Sequence, residues 1–157
     1  MRIVVFSDSH NNFAVLHKIV RAQPSAEMFI YLGDGEAEFD DLCSQYPNKL
    51  LLAVRGNCDW VSFKNTEELL TCNGKRVFFT HGHLFNVKVG LESLKNYARG
   101  LGADIALFGH THAALTAYDD GLYLLNPGSV SLPKDGRPSY GILDITEAGI
   151  VTNIVRL

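Results

Sequence analysis

The sequence has few cysteines, no excess of basic residues and no long hydrophobic run. Its three cysteines, Cys43, Cys58 and Cys72, are an odd number without tight spacing, which argues against a disulfide framework. The 14 basic residues face 17 acidic ones, and a net charge of −3 excludes a polycationic face that wraps duplex nucleic acid. The first apolar run, Ile3–Phe6, is far too short for a signal peptide or a membrane span. We therefore expect a cytoplasmic protein without membrane association.

The sequence also lacks internal repeats, low-complexity tracts and proline-rich linkers. Its 157 residues fall within the usual size of one hydrophobic core, and 46% of them are hydrophobic. A charged fraction of 20% is too low for a disordered chain. These values predict a single domain over residues 1–157.

The first half of the sequence alternates apolar runs with amphipathic stretches. Asn11 or Asn12 can cap a first helix, and Pro47 ends a second helix predicted over Ala37–Tyr46. The apolar runs before, between and after these helices show no alternation, as is typical of buried strands. They are Ile3–Ser7, Met28–Leu32 and Lys49–Val54. The strand–helix alternation predicts a parallel sheet covered by helices.

The second half contains mainly strand and turn signals. Asn73-Gly74 predicts a two-residue hairpin turn, and Gly90–Leu101 has apolar residues at helical spacing. The predicted strands are Leu69–Cys72, Lys75–Thr80, Asp104–Phe108, Leu115–Tyr118, Leu122–Leu125, Tyr140–Asp144 and Ile150–Val155. The turn residues between the last four favour an antiparallel ending. We expect a mixed α/β domain of two packed sheets with helices outside.

Polar clusters follow five of the predicted strands at their carboxyl ends. Loops at this end of an α/β sheet fan out from a rigid base, and ligands gather there. Because neighbouring strands lie roughly 5 Å apart, side chains distant in sequence can converge on one pocket. The clusters are Asp8-Ser9-His10, Gly33-Asp34, Gly56-Asn57-Cys58-Asp59, His81-Gly82-His83 and Gly109-His110-Thr111-His112.

The residue types in these clusters suit a metal site with oxygen and nitrogen ligands. Carboxylates, an amide and imidazoles favour Mn²⁺, Fe, Co²⁺ or Zn²⁺ over soft Cu(I) and iron–sulfur clusters. The candidate ligands are too many for one tetrahedral ion, so we expect two ions bridged by Asp34, which stands between two glycines. Two ions about 3.5–4 Å apart can hold and ionise a bridging water, which then attacks a phosphoryl group in line.

The order of these motifs resembles the calcineurin-like metallophosphoesterase superfamily. Asp-x-His, Gly-Asp, Gly-Asn-x-Asp, a glycine-flanked histidine and Gly-His-x-His occur in that order over residues 1–131. Asn126-Pro127-Gly128-Ser129 is similar to the small prokaryotic YfcE-like phosphodiesterases of that superfamily. The resemblance implies an α/β fold, a four-layer α/β/β/α sandwich with mixed sheets. It also implies a hydrolase of small phosphoesters with two divalent ions, Mn foremost, and Ni, Zn, Fe or Co as alternatives.

Carried over by position, the resemblance implies two sets of ligands that share Asp34. One ion would be held by Asp8, His10, Asp34 and His112, and the other by Asp34, Asn57, His81 and His110. Asp34, Asn57, His110 and Cys58 are the expected catalytic residues, with His110 or solvent assisting the leaving group.

Cys58 departs from the pattern, because many relatives have histidine there, which contacts the phosphate and can protonate the leaving alkoxide. A thiol of pKa about 8.5 is a poorer proton donor near neutral pH than imidazolium and brings no positive charge to a dianionic monoester. We therefore expect a phosphodiesterase that uses a metal-bridging hydroxide.

Two alternatives remain open at the level of the sequence. One is a phosphomonoesterase or nucleotidase acting on a small substrate. The other is a binding module that resembles the retromer scaffold subunit, whose metal site is eroded. All seven expected ligand positions carry competent side chains here, which favours the enzyme. A homo-oligomer is compatible with the sequence, but no sequence pattern identifies a subunit interface.

Overall fold

The computed structural model describes residues 1–157, which form ten strands and three α-helices. In chain order the elements are β1 (Arg2–Phe6), α1 (Phe13–Ala22), β2 (Met28–Tyr31), α2 (Glu36–Gln45), β3 (Leu51–Ala53), β4 (Glu67–Cys72), β5 (Lys75–Thr80), α3 (Glu92–Gly100), β6 (Ile105–Phe108), β7 (Ala114–Asp119), β8 (Leu122–Pro127), β9 (Ser139–Thr146) and β10 (Gly149–Arg156). A short 3-10 helix, His83–Phe85, precedes α3 and was not expected from the sequence.

The first sheet has the strand order β10-β9-β1-β2-β3. Strands β1, β2 and β3 are parallel, as the alternation of strands and helices predicts. The β9–β10 hairpin adds to the free edge of β1 in antiparallel orientation, so the sheet is mixed. Helix α1 begins where Asn12 Oδ1 accepts a hydrogen bond from the Val15 amide at 3.3 Å, which confirms asparagine as the cap.

The second sheet has the strand order β4-β5-β6-β8-β7. Asn73 and Gly74 both adopt positive φ angles, 49° and 77°, as the predicted hairpin turn between β4 and β5 requires. The expectation of a purely antiparallel ending is wrong for β8, which pairs in parallel with β6. The apolar run of β8 fits this central position, whereas β7 is largely exposed and lies at the edge.

The two sheets pack face to face, and the helices cover their outer faces. One core cluster lies between the sheets and includes Ile3, Ile30, Phe79 and Leu107. A second cluster joins the first sheet to α1 and α2, and a third joins the second sheet to α3. This arrangement confirms the expected four-layer α/β/β/α sandwich. None of the helices has both the length and the apolar character needed to cross a membrane.

Candidate metal centre

The predicted site residues follow strands of both sheets. Asp8 and Asp34 follow β1 and β2 in the first sheet, whereas His81 and His110 follow β5 and β6 in the second. Main-chain hydrogen bonds tie loops of the same sheet together, such as Asp8 N to Gly33 O at 3.0 Å and Gly109 N to His81 O at 3.0 Å. The side chains therefore converge across the gap between two facing sheets, not along the edge of one sheet.

Gly109 allows the loops of the two sheets to approach each other closely. A Cβ atom at this position would lie 2.2 Å from Ser7 Oγ and 3.2 Å from Asp8 Oδ2. The next amide, that of His110, donates to Asp8 Oδ2 at 3.3 Å. Glycine is thus required where the loop after β6 crosses the loop after β1.

The first group of candidate ligands contains Asp8, His10 and His112. His112 Nε2 lies 3.1 Å from Asp8 Oδ1 and 3.4 Å from His10 Nε2. His112 Nδ1 donates to the carbonyl oxygen of Leu132 at 2.8 Å, which turns Nε2 towards the other two side chains. Asp8 Oδ1 is fully buried and accepts no hydrogen bond, and such an orphaned oxygen beside two imidazoles fits a cation.

The second group contains Asp34, His81 and His110, and Asn57 lies beside it. His81 Nδ1 lies 2.7 Å from Leu32 O, so the proton is assigned to Nδ1 and the lone pair to Nε2. Nε2 then faces Asn57 Oδ1 at 3.1 Å, His110 Nδ1 at 3.1 Å and Asp34 Oδ2 at 3.5 Å, and both oxygens carry lone pairs. Two oxygens and two imidazole nitrogens gathered in this way are ligand types that fit a divalent cation.

Asp34 connects the two parts of the centre. Its carboxylate belongs to the group with His81 and His110 and also to a group with His10 and Cys58, in which the ligand atoms lie within 4.8 Å of one another. Asp34 Oδ1 accepts a hydrogen bond from the Cys58 amide at 2.8 Å. The position of Asp34 is compatible with the bridging role expected from the sequence, and that role stays a prediction.

Five of the seven predicted ligands have a left-handed backbone. Their φ angles are 59° at Asp8, 42° at His10, 62° at Asp34, 66° at His110 and 60° at His112. Residues other than glycine adopt this conformation rarely, and the cost is of order 1–3 kcal/mol each. Such local strain persists where the surrounding structure imposes it, as at a functional site.

The charges around the two groups set the protonation states of their histidines. Burial, reinforced by the proximity of His81, lowers the pKa of His110 to about 4. Its ring is therefore neutral near pH 7, which is the form that binds metals. The Asp8 carboxylate, whose Oδ1 lies 3.1 Å from Nε2, raises the pKa of His112. Burial alone would raise the pKa of Asp8, but His112 and His81 outweigh it and lower that pKa.

Cys58 lies at the open side of the centre. Its Sγ accepts a hydrogen bond from Asn57 Nδ2 at 3.3 Å. Burial and the neighbouring Asp34 carboxylate raise the pKa of the thiol to about 11. Near neutral pH the side chain is uncharged and is a weak proton donor.

Asp59 plays a structural part that the sequence did not reveal. Its carboxylate accepts four main-chain hydrogen bonds, from the amides of Asp34, Gly35, Glu36 and Gly56, at 2.7–3.0 Å. Burial raises the pKa of Asp59, but these donors outweigh it and hold the pKa below its usual value. One side chain thus joins the loop that carries Asp34 to the loop that carries Asn57.

The acidic residues of α2 are not all surface groups. Glu38 is buried, and its carboxylate accepts hydrogen bonds from the Ser9 hydroxyl and the Asn11 amide. It therefore holds the loop on which His10 lies. The burial of Glu38 could have been predicted from helical spacing, since Glu38 lies one turn before the buried Leu42.

His83 lies beside the centre without joining either group. Its ring is 5.4 Å from that of His81 and 6.1 Å from that of His110, centre to centre. Burial and His81 lower its pKa, and its buried Nδ1 has no hydrogen-bond partner.

Residues 1–148 match the model of the calcineurin-like phosphoesterase superfamily domain. The chain belongs to this superfamily. It is 35% identical over 148 residues to the probable metallophosphoesterase YsnB of Bacillus subtilis, covering 92% of this chain and 85% of that protein. It is 31% identical over 169 residues to the phosphodiesterase YfcE of Escherichia coli K12, covering 92% and 88%.

Solved structures share the fold. A predicted phosphoesterase from Streptococcus pneumoniae TIGR4 superposes with a TM-score of 0.87 at 24% identity, over 99% of this chain and 88% of that chain. Wild-type Vps29 from Entamoeba histolytica, complexed with Zn²⁺, gives a TM-score of 0.75 at 22% identity, over 99% of both chains. Membership of the superfamily makes the chain a metal-dependent phosphoric ester hydrolase.

Proposed function

We propose that this chain is a phosphodiesterase with a dinuclear metal centre that acts on small phosphodiesters. The observation that carries the proposal is the convergence of Asp34 Oδ2, Asn57 Oδ1 and His110 Nδ1 on the unprotonated Nε2 of His81. A second group, Asp8, His10 and His112, lies beside it, and Asp34 shares a ligand cluster with His10. The relative YfcE is named a phosphodiesterase, which agrees.

The side chains of the two groups would hold two divalent ions, Mn²⁺ foremost. When bound, such ions lower the pKa of a shared water and neutralise charge on the phosphoryl group. Leu32 O and Leu132 O fix the orientation of the His81 and His112 rings. Asp59 and Glu38 hold the loops of Asp34 and His10 at the positions that ion binding needs.

The preference for diesters rests on Cys58. An uncharged thiol adds no positive charge for the second negative charge of a monoester and is a weak acid for its leaving group. A diester carries one negative charge and, with an aryl leaving group, needs little protonation. Cysteine at this place therefore favours diesters with good leaving groups.

The experiment compares three substrates on metal-free protein that has been reloaded with Mn²⁺, Ni²⁺ or Zn²⁺. We expect hydrolysis of an aryl phosphodiester to exceed that of an aryl monoester, and an alkyl monoester to be slowest. Asp34→Asn should lower kcat/KM for the diester by at least about 100-fold. Mutating a residue that only hydrogen-bonds to a metal ligand can already lower activity by this much, and Asp34 is a proposed ligand itself. Asp120→Asn, on the exposed β7–β8 turn, is the matched control and should match wild type.

Cys58→His tests the preference itself. The variant should gain aryl monoester turnover relative to diester turnover. Metal-independent activity that Asp34→Asn leaves unchanged would contradict the site, and faster turnover of alkyl monoesters by wild type would contradict the preference. Tight metal binding without hydrolysis of any ester would favour the scaffold function instead.

We also propose that residues 1–157 act as one domain and that the enzyme works in the cytoplasm. The three cysteines are free in the structure, which agrees with a reducing compartment.

A further inference from the structure

A groove of about 390 Å³ opens directly from the candidate metal centre. His10, Asp34 and Cys58 line it on the side of the ligand cluster. Trp60 and Val61 line it on the solvent side, with exposed fractions of 87% and 85%. A molecule whose phosphoryl group lies at the ligand cluster would therefore extend one of its ester substituents past these two apolar side chains. We call this substituent the arm.

Trp60 is exposed although it carries the largest apolar surface of any side-chain type. A packed indole ring buries roughly 150–250 Å² of surface. A tryptophan exposed to water therefore lacks the favourable free energy that this burial would provide. Fully exposed large apolar side chains beside a cleft are typical of ligand-binding surfaces.

The segment that carries Trp60 is fixed at both ends. Before it, Asp59 accepts four main-chain hydrogen bonds. After it, Lys64 Nζ binds Glu36 Oε1 at 2.9 Å and Asp40 Oδ1 at 2.8 Å, and the Lys64 amide donates to Ser62 Oγ at 3.0 Å. A ring held on such a segment can stack on a ligand with little further loss of entropy.

The charge of the groove limits what the arm can be. Glu36, Glu38, Asp40 and Asp59 line it together with Asp34, and no lysine or arginine does. Lys64 balances one of the carboxylates from outside. Such a wall repels an arm that bears a second phosphate or another anion.

We propose that Trp60 and Val61 form a subsite for an uncharged aromatic arm, of aryl or nucleoside type, on the phosphodiester. The subsite rests on the proposed phosphodiesterase function, which places the phosphoryl group at the ligand cluster. It selects diesters with a single phosphate and one flat ring system. Stacking on an aromatic side chain tolerates any ring, so the subsite defines a class of substrates and not one base.

Fluorescence tests the subsite independently of activity, because Trp60 is the only tryptophan of the chain. The probes are phenyl methylphosphonate and ethyl methylphosphonate, which bear the same charge and differ in the arm. With the Mn²⁺-loaded protein, the phenyl compound should change Trp60 emission saturably, whereas the ethyl compound should bind without that change. Equal responses to both, or none while calorimetry shows that both bind, would overturn the proposal.

Inhibition of aryl diester hydrolysis supplies the second readout. Trp60→Ala should raise the inhibition constant of the phenyl compound about five- to tenfold, the size of a modest stacking contact, and leave that of the ethyl compound unchanged. Trp60→Phe should restore most of the difference. Phe63→Ala is the matched control, since Phe63 is fully exposed on the same segment and does not line the groove.

The outcomes separate this proposal from the proposed function. Selective quenching by the phenyl compound without hydrolysis of any ester would keep the subsite and reject the phosphodiesterase. Hydrolysis with equal effects of Trp60→Ala on both inhibitors would keep the enzyme and reject the subsite. Blue-shifted Trp60 emission that reverts as the protein is diluted would show that a second copy covers the ring, and would also reject the subsite.

Discussion

Replacing Asp59 by asparagine tests whether one carboxylate holds the loops of the candidate site together. Oδ2 accepts hydrogen bonds from the Asp34 and Gly56 amides at 2.9 and 2.7 Å, and Oδ1 accepts from the Gly35 and Glu36 amides at 2.9 and 3.0 Å. In Asp59→Asn, one oxygen becomes an amino group. Two main-chain donors then face another donor, whichever way the new amide is turned.

The expected loss follows from the two donors left without an acceptor. A buried donor deprived of its partner costs about 1–3 kcal/mol, and the lower part of this range applies because Asp59 is half-buried. Two such donors lower the free energy of unfolding by about 2–4 kcal/mol. For a chain of this length, this corresponds to a fall in Tm of about 4–16 °C.

The same loss depends on pH. Burial raises the pKa of Asp59, but the four amide donors outweigh it and hold the pKa below its usual value. A carboxyl with a lowered pKa in the folded state stabilises the fold above its unfolded pKa of about 3.9 and loses this contribution as the pH falls through its folded pKa. The difference in stability between wild type and Asp59→Asn is therefore full above about pH 5 and shrinks below about pH 4.

Urea unfolding of the metal-free proteins at pH 7 and at pH 3.5 measures both effects. Asp41→Asn is the control, since Asp41 is exposed on α2, and it should stay within about 0.5 kcal/mol of wild type. Equal stability of Asp59→Asn and that control at pH 7 would show that Asp59 does not hold the loops together. A difference that does not shrink at pH 3.5 would refute the charge-dependent part.

Three further predictions concern the core, the loops and the metal. Leu107→Ala, in the core between the sheets, should cost about 2–5 kcal/mol in urea unfolding, whereas Val151→Ala on an exposed strand should cost less than about 1 kcal/mol. Gly33→Ala should destabilise more than Gly74→Ala, because its Cβ would lie 2.4 Å from the Gly56 amide nitrogen while that of Gly74 meets nothing within 4 Å; thermal melts compare the two. Mn²⁺ at 100 times its Kd should stabilise the folded chain by about 2.7 kcal/mol per site, seen as a rise in Tm that a chelator reverses.

The sequence predicts most of the elements because their signals are local. Apolar runs without alternation mark β1 and β2, and Asn73-Gly74 marks the turn between β4 and β5. Strand neighbours are not local, and β6 pairs in parallel with β8 although β7 lies between them along the chain. The turn residues therefore predict the antiparallel pairs β7–β8 and β9–β10, but not the parallel pair β6–β8.

The sequence predicts the candidate metal ligands, but it does not predict the residues that hold their loops in place. Aspartate, asparagine and histidine at the ends of strands indicate a metal centre whatever the details of pairing. Helical spacing indicates that Glu38 faces inward with Leu42. It does not reveal that Asp59 and Glu38 accept hydrogen bonds from main-chain amides of other loops. The exposure of Trp60 is likewise invisible in the sequence, because an indole beside apolar neighbours is more often a core residue.

In the proposed dinuclear centre, Asp34 would bind both metal ions. Mn²⁺-loaded protein, freed of excess metal, should contain two ions per chain and show the electron paramagnetic resonance spectrum of an exchange-coupled pair. Asp34→Asn should lose the coupled spectrum, while Asp120→Asn should keep it. One ion per chain in wild type, or two ions without magnetic coupling, would contradict the bridging role of Asp34.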